Sequence, residues 1–404
     1  MLRMSSTRRN SAALLLATTL ALPASAAVAA AAPSPAAASA PAASDVRFAI
    51  PRPTGQDEVG RDTLHLVDAG RRDPWVPSAG ARELMVSMYY PARAGGSAAP
   101  YMTLDEARLL LKGQRLDSLF KAEQLASVRT NARLRARPAG GRHPLVVLSP
   151  GFTLNRATLT TLAEELASKG YVVALVDHAY ESFGTSFPGG RTLTCVACET
   201  VERAPSDEAE KKLMAKAAVN RAADVSFVID RLTRPARSAP AWKHWNLIDP
   251  RRIGAAGHSL GGNAAASAMA ADRRVRAGVN MDGSFFAPVP ESGLGKRPFL
   301  MLGTKAQHSP GSDDTTWQRD WRRLDGWKRW LTVAGSGHFT FIDLPVLGAQ
   351  AGITDPSAPL PGKRSREITT SYVGAFFDRH LRGEHRPLLD GPSTANPEVT
   401  FQNP

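Results

Sequence analysis

Short runs of apolar residues, separated by stretches with helical periodicity, constrain the fold of this 404-residue chain more than any other feature. The runs are rich in β-branched residues and bounded by glycine, proline or charge, which predicts strands at 83–90, 145–148, 171–176, 253–256, 275–281, 299–302 and 330–333. Apolar side chains at three- and four-residue spacing predict helices over 159–169 and 218–232. Short strands that are apolar on both faces and alternate with helices indicate an α/β fold, with a mostly parallel central sheet covered by helices on both faces.

The first 44 residues differ in composition from the rest of the chain. Arg3, Arg8 and Arg9 precede an apolar run over 12–22, which has the length of a signal-peptide core and is too short to span a bilayer. Ala24-Ser25-Ala26 fits a cleavage site, so we predict a signal peptide over 1–26 and an Ala/Pro/Ser-rich linker over 27–44. We therefore expect an exported protein, periplasmic or extracellular, with a folded domain over 45–404.

Two segments do not fit the alternation of strands and helices. Residues 103–133 have leucines at helical spacing and predict a small cap of two helices inserted in the domain, and 344–363 is a Pro/Gly-rich loop. Both segments could act as lids or be inert insertions.

Charge and cysteine content narrow the possible partners. The formal net charge is +13, but the basic residues are scattered and no zinc-finger spacing or long basic helix occurs, so we expect no nucleic-acid partner. A basic surface in peripheral contact with an anionic membrane is one interpretation of the charge, and simple solubility is the other. The sequence has no metal-ligand, Walker or dinucleotide-binding motif, so we expect neither a metal nor a cofactor. Cys195 and Cys198 favour a local disulfide over a redox-active pair.

A pentapeptide over 257–261, Gly-His-Ser-Leu-Gly, matches the G-x-S-x-G pattern. It directly follows the predicted strand at 253–256 and directly precedes an alanine-rich helical segment, which is the setting of a nucleophile elbow. Flanking glycines leave room for the sharp turn, and the helix N-terminus favours developing negative charge. We therefore predict that Ser259 is a catalytic nucleophile.

A serine nucleophile needs a base, and nine histidines are available. His338 lies in a loop after the predicted strand 330–333, at the sheet edge where Ser259 is expected, and is the predicted base. His178 is the second candidate, whereas His258 is expected to point away from the Ser259 hydroxyl. The remaining histidines are expected on the surface or in loops: His65, His143, His244, His308, His380 and His385.

The acid that orients the histidine is predicted to be Asp282, directly at the end of the strand 275–281. Its rivals are Asp313 and Asp314, which lie farther into the next loop. The order Ser259, Asp282, His338 fits that of α/β-hydrolases. For the oxyanion we predict the backbone N–H of Leu260 and that of Phe152, with Gly151 as second choice for the latter.

These motifs resemble the type II, plasma-like group of platelet-activating factor acetylhydrolases and their secreted bacterial relatives. The resemblance is carried by residues 72–92, 148–152, 257–262, 281–283 and 335–339. It implies an α/β-hydrolase fold, metal-independent hydrolysis of a carboxylic ester, often with a short acyl chain, and an acid after the strand that follows the elbow helix, which favours Asp282. Those enzymes usually have His-Gly in the oxyanion loop, where this chain has Pro150-Gly151.

The sequence thus predicts an exported serine hydrolase that cleaves short-acyl or lipid-like esters through Ser259, His338, Asp282 and an acyl-enzyme. A polyester or cutinase-like hydrolase or lipase is one alternative. A non-catalytic protein that binds ligands on the same fold is the other.

Overall fold

The computed structural model describes residues 46–234 and 240–403. The predicted signal peptide, 1–26, and the predicted linker, 27–44, lie outside the described residues. Among the helices of the described part, none is long and apolar enough to cross a membrane.

A large mixed sheet forms the centre of the described chain. The strands are β1 Glu58–Arg72, β2 Ala81–Ala92, β3 Ser97–Pro100, β4 Arg129–Leu134, β5 His143–Ser149, β6 Val172–His178, β7 Thr185–Phe187, β8 Arg191–Leu193, β9 Ile248–His258, β10 Val275–Met281, β11 Phe299–Thr304, β12 Lys328–Val333 and β13 Val399–Gln402. Within 46–234 and 240–403, eleven of them pair in the order β13-β12-β11-β10-β9-β5-β6-β2-β1-β4-β3, and β7 and β8 form a separate hairpin. The block from β12 to β6 is parallel. Antiparallel β13 and β2 flank this block.

Helices cover both faces of the sheet. They are α1 Leu104–Gly113, α2 Ala122–Ala126, α3 Thr160–Ser168, α4 Val196–Glu202, α5 Asp207–Thr233, α6 Leu260–Ala271, α7 Lys305–His308, α8 Thr315–Arg323, α9 Leu344–Gln350 and α10 Gly362–Phe377. Alternate residues of β5 belong to two different cores: Val146 and Leu148 pack with α3 and α10, and Leu145 and Val147 pack with α5 and α6. Burying such a side chain contributes roughly 1.5–3 kcal/mol, which explains why the parallel strands are apolar at successive positions.

The α/β-hydrolase fold is confirmed, and all seven predicted strands are present. The predicted helices at 159–169 and 218–232 correspond to α3 and to the second half of α5.

Three local predictions differ from the structure. The cap contains α1, which begins with a capping box between Thr103 and Glu106, and α2, but residues 129–134 form β4 because they pair with β1 and β3. Residues 344–350 form the helix α9 and not a loop. The sheet is also wider than predicted, since β1, β3, β4 and β13 alternate or contain polar residues and lack a continuous apolar run.

The two cysteines are joined. A disulfide links Cys195 and Cys198 at the start of α4, with their Cα atoms 5.2 Å apart. The interpretation as a local disulfide is therefore confirmed.

Candidate active site

Ser259 lies in a sharp turn between β9 and α6. Its backbone φ is 55°, in the left-handed region that residues other than glycine seldom adopt. Its N–H donates to the carbonyl of Met281, 2.8 Å away, which ties the turn to the end of β10. A Cβ atom on Gly257 would lie 2.2 Å from the Gly261 carbonyl carbon, and one on Gly261 would lie 2.1 Å from the carbonyl oxygen of Ser149. Only glycine at both positions allows this turn to form.

His338 joins Ser259 to Asp282. Its Nε2 lies 3.0 Å from the Ser259 Oγ, and its Nδ1 lies 2.7 Å from the Asp282 Oδ2. A carboxylate oxygen only accepts hydrogen bonds, so Nδ1 carries the proton and Nε2 is free to accept from the serine hydroxyl. The structure therefore brings together the predicted nucleophile, base and acid in the tautomer that proton abstraction requires.

Asp282 is completely buried, and its carboxylate accepts hydrogen bonds from other groups besides His338. Its Oδ1 accepts from the backbone N–H of Thr304 and from the ring of His308, each at 2.6 Å. Burial alone would raise the pKa of Asp282, but the hydrogen bonds from His308 and His338 outweigh it and hold this pKa well below its ordinary value. Asp282 is therefore an anion at any pH at which a histidine can act as a base.

The expectation that His308 is a surface or loop histidine is wrong. Its side chain is only 3% exposed and bridges Asp282 and Asp314, with Nε2 3.1 Å from the Asp314 Oδ2. Asp314, the predicted rival acid, therefore contacts His308 and not His338, whereas Asp313 is exposed. Sequence reasoning missed His308 because a histidine six residues beyond a predicted strand resembles any loop histidine.

The two predicted oxyanion donors are neighbours. The side chains of Leu260 and Phe152 belong to one small apolar cluster, and a Cβ atom on Gly151 would lie 3.3 Å from the Cβ of Ser259. The loop 149–152 therefore runs beside the serine, and the N–H of Leu260 begins the helix that follows it. The N–H groups of Leu260 and Phe152 therefore stay the predicted oxyanion donors.

A buried network of charges supports the oxyanion loop. Arg221, 1% exposed, donates to the Pro150 carbonyl at 2.6 Å and to Glu181 at 2.7 Å. His178 bridges Ser149 and Asp224, at 2.9 Å and 2.8 Å. Both ring nitrogens of His178 thus have hydrogen-bond partners other than Ser259, and the structure does not bring His178 to Ser259 as an alternative base.

His258 lies beside the candidate base without competing with it. Its Nε2 donates to the backbone carbonyl of His338 at 2.7 Å, and its ring centre is 4.6 Å from that of His338. Burial, and next the neighbouring His338, lower the pKa of His258 to about 3, so it stays neutral. As expected, it points away from the serine hydroxyl.

An apolar pocket lies under the cap. Most of its lining is aromatic or aliphatic: Phe48, Tyr101, Leu110, Leu111, Leu116, Phe120, Leu125, Leu154, Ile342, Leu344 and Leu347. Leu154 of this lining lies near the candidate site, because a Cβ atom on Gly151 would lie 3.1 Å from the Leu154 Cδ1 and 3.3 Å from the Ser259 Cβ. Gln114 of the cap also donates to Thr153 of the adjoining loop at 3.3 Å. The cap and α9 therefore form the walls of this pocket, and Leu154 is the lining residue that lies near Gly151.

Within 46–234 and 240–403, no group of three or more His, Cys, Asp or Glu side chains has a geometry that would hold a metal ion.

Comparisons with known proteins show the family of the chain. A family model described as platelet-activating factor acetylhydrolase, isoform II, matches residues 50–232 and 238–353. The chain is 28% identical over 386 residues to a probable 1-alkyl-2-acetylglycerophosphocholine esterase of Arthroderma benhamiae, covering 88% of this chain and 94% of that protein. It is 23% identical over 323 residues to the platelet-activating factor acetylhydrolase of Bos taurus, covering 70% of each. The solved structure of a ferulic acid esterase from Streptomyces cinnamoneus matches with a TM-score of 0.75 and 43% identity, covering 88% of this chain and all of that one (100%).

The buried network predicts a measurable effect on stability. Arg221→Met removes one partner of a buried ion pair and the anchor of Pro150, so we expect unfolding in urea to show a loss of roughly 3–5 kcal/mol. The matched control is Arg203→Met, whose ion pair with Glu199 is 79% and 60% exposed, and which should cost less than about 1 kcal/mol. Equal losses in the two variants would contradict the role assigned to the network.

Proposed function

The chain belongs to the platelet-activating factor acetylhydrolase isoform II family and is a carboxylic ester hydrolase, and from this premise we propose that it acts through an acyl-enzyme on Ser259. The observation that carries the proposal is the chain of hydrogen bonds from the Ser259 Oγ through His338 to Asp282, at 3.0 and 2.7 Å. Family membership also sets aside the alternative of a non-catalytic binding protein on this fold.

In the proposed reaction, the Ser259 Oγ attacks the ester carbonyl carbon while His338 Nε2 takes the hydroxyl proton. The carbonyl oxygen becomes an anion, which accepts hydrogen bonds from the N–H groups of Leu260 and Phe152. The bond to the alcohol oxygen then breaks, and His338 returns its proton to the departing alcohol. Water repeats the sequence on the acyl-serine and releases the acid. Asp282, ionised and buried, stabilises the imidazolium in both half-reactions.

For the substrate, we propose a short-acyl or lipid-like ester with an apolar group that enters the pocket under the cap. The pocket is lined by aliphatic and aromatic side chains, and one of them, Leu154, lies close to Gly151, the residue beside Ser259. Such a pocket suits an alkyl chain, in line with the alkylacetylglycerophosphocholine esterase named among the relatives. An aromatic acyl ester is the second candidate, favoured by the 43% identity to a ferulic acid esterase.

A test of the triad compares three variants. Ser259→Ala should abolish turnover of p-nitrophenyl acetate, and Asp282→Asn should lower kcat by roughly 10³–10⁴-fold, because the tautomer of His338 is no longer fixed. Asp314→Asn should retain far more activity, since Asp314 does not contact His338. Thermal unfolding of each variant controls for the fold. Turnover retained in Ser259→Ala, or a larger loss in Asp314→Asn than in Asp282→Asn, would contradict the assignment.

A test of the pocket uses acyl-chain length. Leu344 is a half-buried residue of the pocket wall, and Leu344→Trp should fill part of the pocket. We expect kcat/KM for longer p-nitrophenyl esters to fall by about 10-fold or more while that for the acetate stays within about 2-fold. The control is Leu388→Trp, at another half-buried leucine outside the pocket. An unchanged chain-length profile in Leu344→Trp would argue against the pocket as the site of the apolar group.

We also propose that the protein is exported and that its basic surface contacts anionic lipid peripherally. Arg3, Arg8, Arg9 and the apolar run at 12–22 support export. The net charge of +13, which falls by three when these arginines are removed with the signal peptide, supports the lipid contact. N-terminal sequencing of the protein secreted by an actinobacterial or other bacterial host should give Ala27 as the first residue. An uncleaved chain in the cytoplasm would contradict export. Equal sedimentation with neutral and anionic vesicles would contradict the lipid contact.

A further inference from the structure

A continuous chain of hydrogen bonds extends beyond the triad. His308 Nδ1 donates to the Asp282 Oδ1 at 2.6 Å, and His308 Nε2 donates to the Asp314 Oδ2 at 3.1 Å. Both ring nitrogens therefore face carboxylate oxygens, which only accept hydrogen bonds. Each nitrogen must carry a proton, so His308 is an imidazolium between two anions.

The ring of His308 is held in one position. It stacks on Trp317 with ring centres 4.2 Å apart and an angle of 19° between the planes. Its backbone carbonyl accepts from the indole N–H of Trp330 at 2.6 Å. Asp314 is fixed in turn by the hydroxyls of Ser284 and Thr316, each at 2.6 Å. A purely packing role for His308 would not account for the two carboxylates at its ring nitrogens.

We propose that His308 is a positioning residue for the catalytic acid: it fixes the Asp282 carboxylate with Oδ2 toward His338, and its positive charge offsets part of the negative charge that His338 faces. This inference rests on the proposed function, in which His338 is the base. It concerns a group that the triad mechanism does not use.

The charged groups around His308 and His338 determine in which direction a substitution changes the proton affinity of His338. Asp282 and Asp314 face His308, His258 faces His338 and is neutral, and Lys305 on the same helix turn is exposed. Burial alone would lower the pKa of His308, but hydrogen bonds and attraction from the two carboxylates raise it to about 9. At neutral pH the group of Asp282, His308 and Asp314 therefore carries one net negative charge.

Two substitutions change this charge in opposite directions. His308→Asn keeps a donor for Asp282 but removes the positive charge, so His338 should hold its proton to higher pH, and the acidic limb of the kcat/KM profile should move up by about one pH unit. Asp314→Asn removes a negative charge, while the amide oxygen of the new side chain can still accept from His308 Nε2 and Asp282 still accepts from Nδ1, so His308 should keep its charge and the limb should move down by about half a pH unit. The control His380→Asn removes another histidine that packs on a tryptophan, Trp327 at 4.5 Å, and should leave the limb in place.

The experiment is the pH profile of kcat/KM for p-nitrophenyl acetate in these three variants and the unaltered enzyme. Loosening of the fold would move the acidic limb in the same direction in His308→Asn and Asp314→Asn, or in neither variant. Opposite shifts in the two variants therefore support the proposal, and an unshifted limb or shifts in the same direction overturn it.

A measurement on the unaltered protein keeps the proposal testable if a variant fails to fold. In ¹⁵N-histidine NMR spectra, His308 should stay doubly protonated at pH 7.5, and a neutral ring at that pH would overturn the proposal. Failure of the triad itself would be seen separately, as ester turnover that survives in Ser259→Ala.

Discussion

The close packing of the Ser259 turn against its neighbours is the constraint on which the rest of the site depends. Gly257 and Gly261 allow β9, the start of α6 and the loop after β5 to approach within distances that no side chain would permit. At the same point, a Cβ atom on Gly283 would lie 2.0 Å from the carbonyl oxygen of Ser259, so the turn after β10 is equally close. These contacts place the nucleophile, the loop of the predicted oxyanion donors and the acid within a few ångströms of one another. The strained backbone at Ser259 is maintained because packing on three sides leaves it no alternative.

Around this turn, buried charges occur in compensated groups. Behind the oxyanion loop, Arg82 and Arg221 contact Glu181, and Arg82 also pairs with Asp73 and Asp224. On the other side, His308 lies between Asp282 and Asp314. Burying a carboxylate without such partners would favour its neutral form. The partners therefore keep Asp282 ionised and give each loop of the site a fixed position.

The parts of the molecule that depend on a local sequence pattern could be predicted from the sequence. Parallel strands buried on both faces give continuous apolar runs, and the elbow glycines stand in the sequence itself, so the central strands and the positions of Ser259, Asp282 and His338 could be predicted. Antiparallel strands such as β1 and β13 could not, because their pairing depends on neighbours that are distant in sequence. The same holds for β4, which follows the leucine-rich segment of the cap in sequence but pairs with β1 and β3. His308 could not be recognised either, because only folding brings Asp282 and Asp314 to its two ring nitrogens.

The central claim is that Ser259 is the residue that forms the acyl-enzyme. The most direct test is to label the folded protein with a fluorophosphonate probe and locate the adduct by peptide mass spectrometry. The account predicts one adduct per chain, on the peptide that contains Ser259, with labelling greatly slowed in a variant that lacks the His338 imidazole. An adduct on another serine, or no adduct in a protein that still hydrolyses esters, would contradict it.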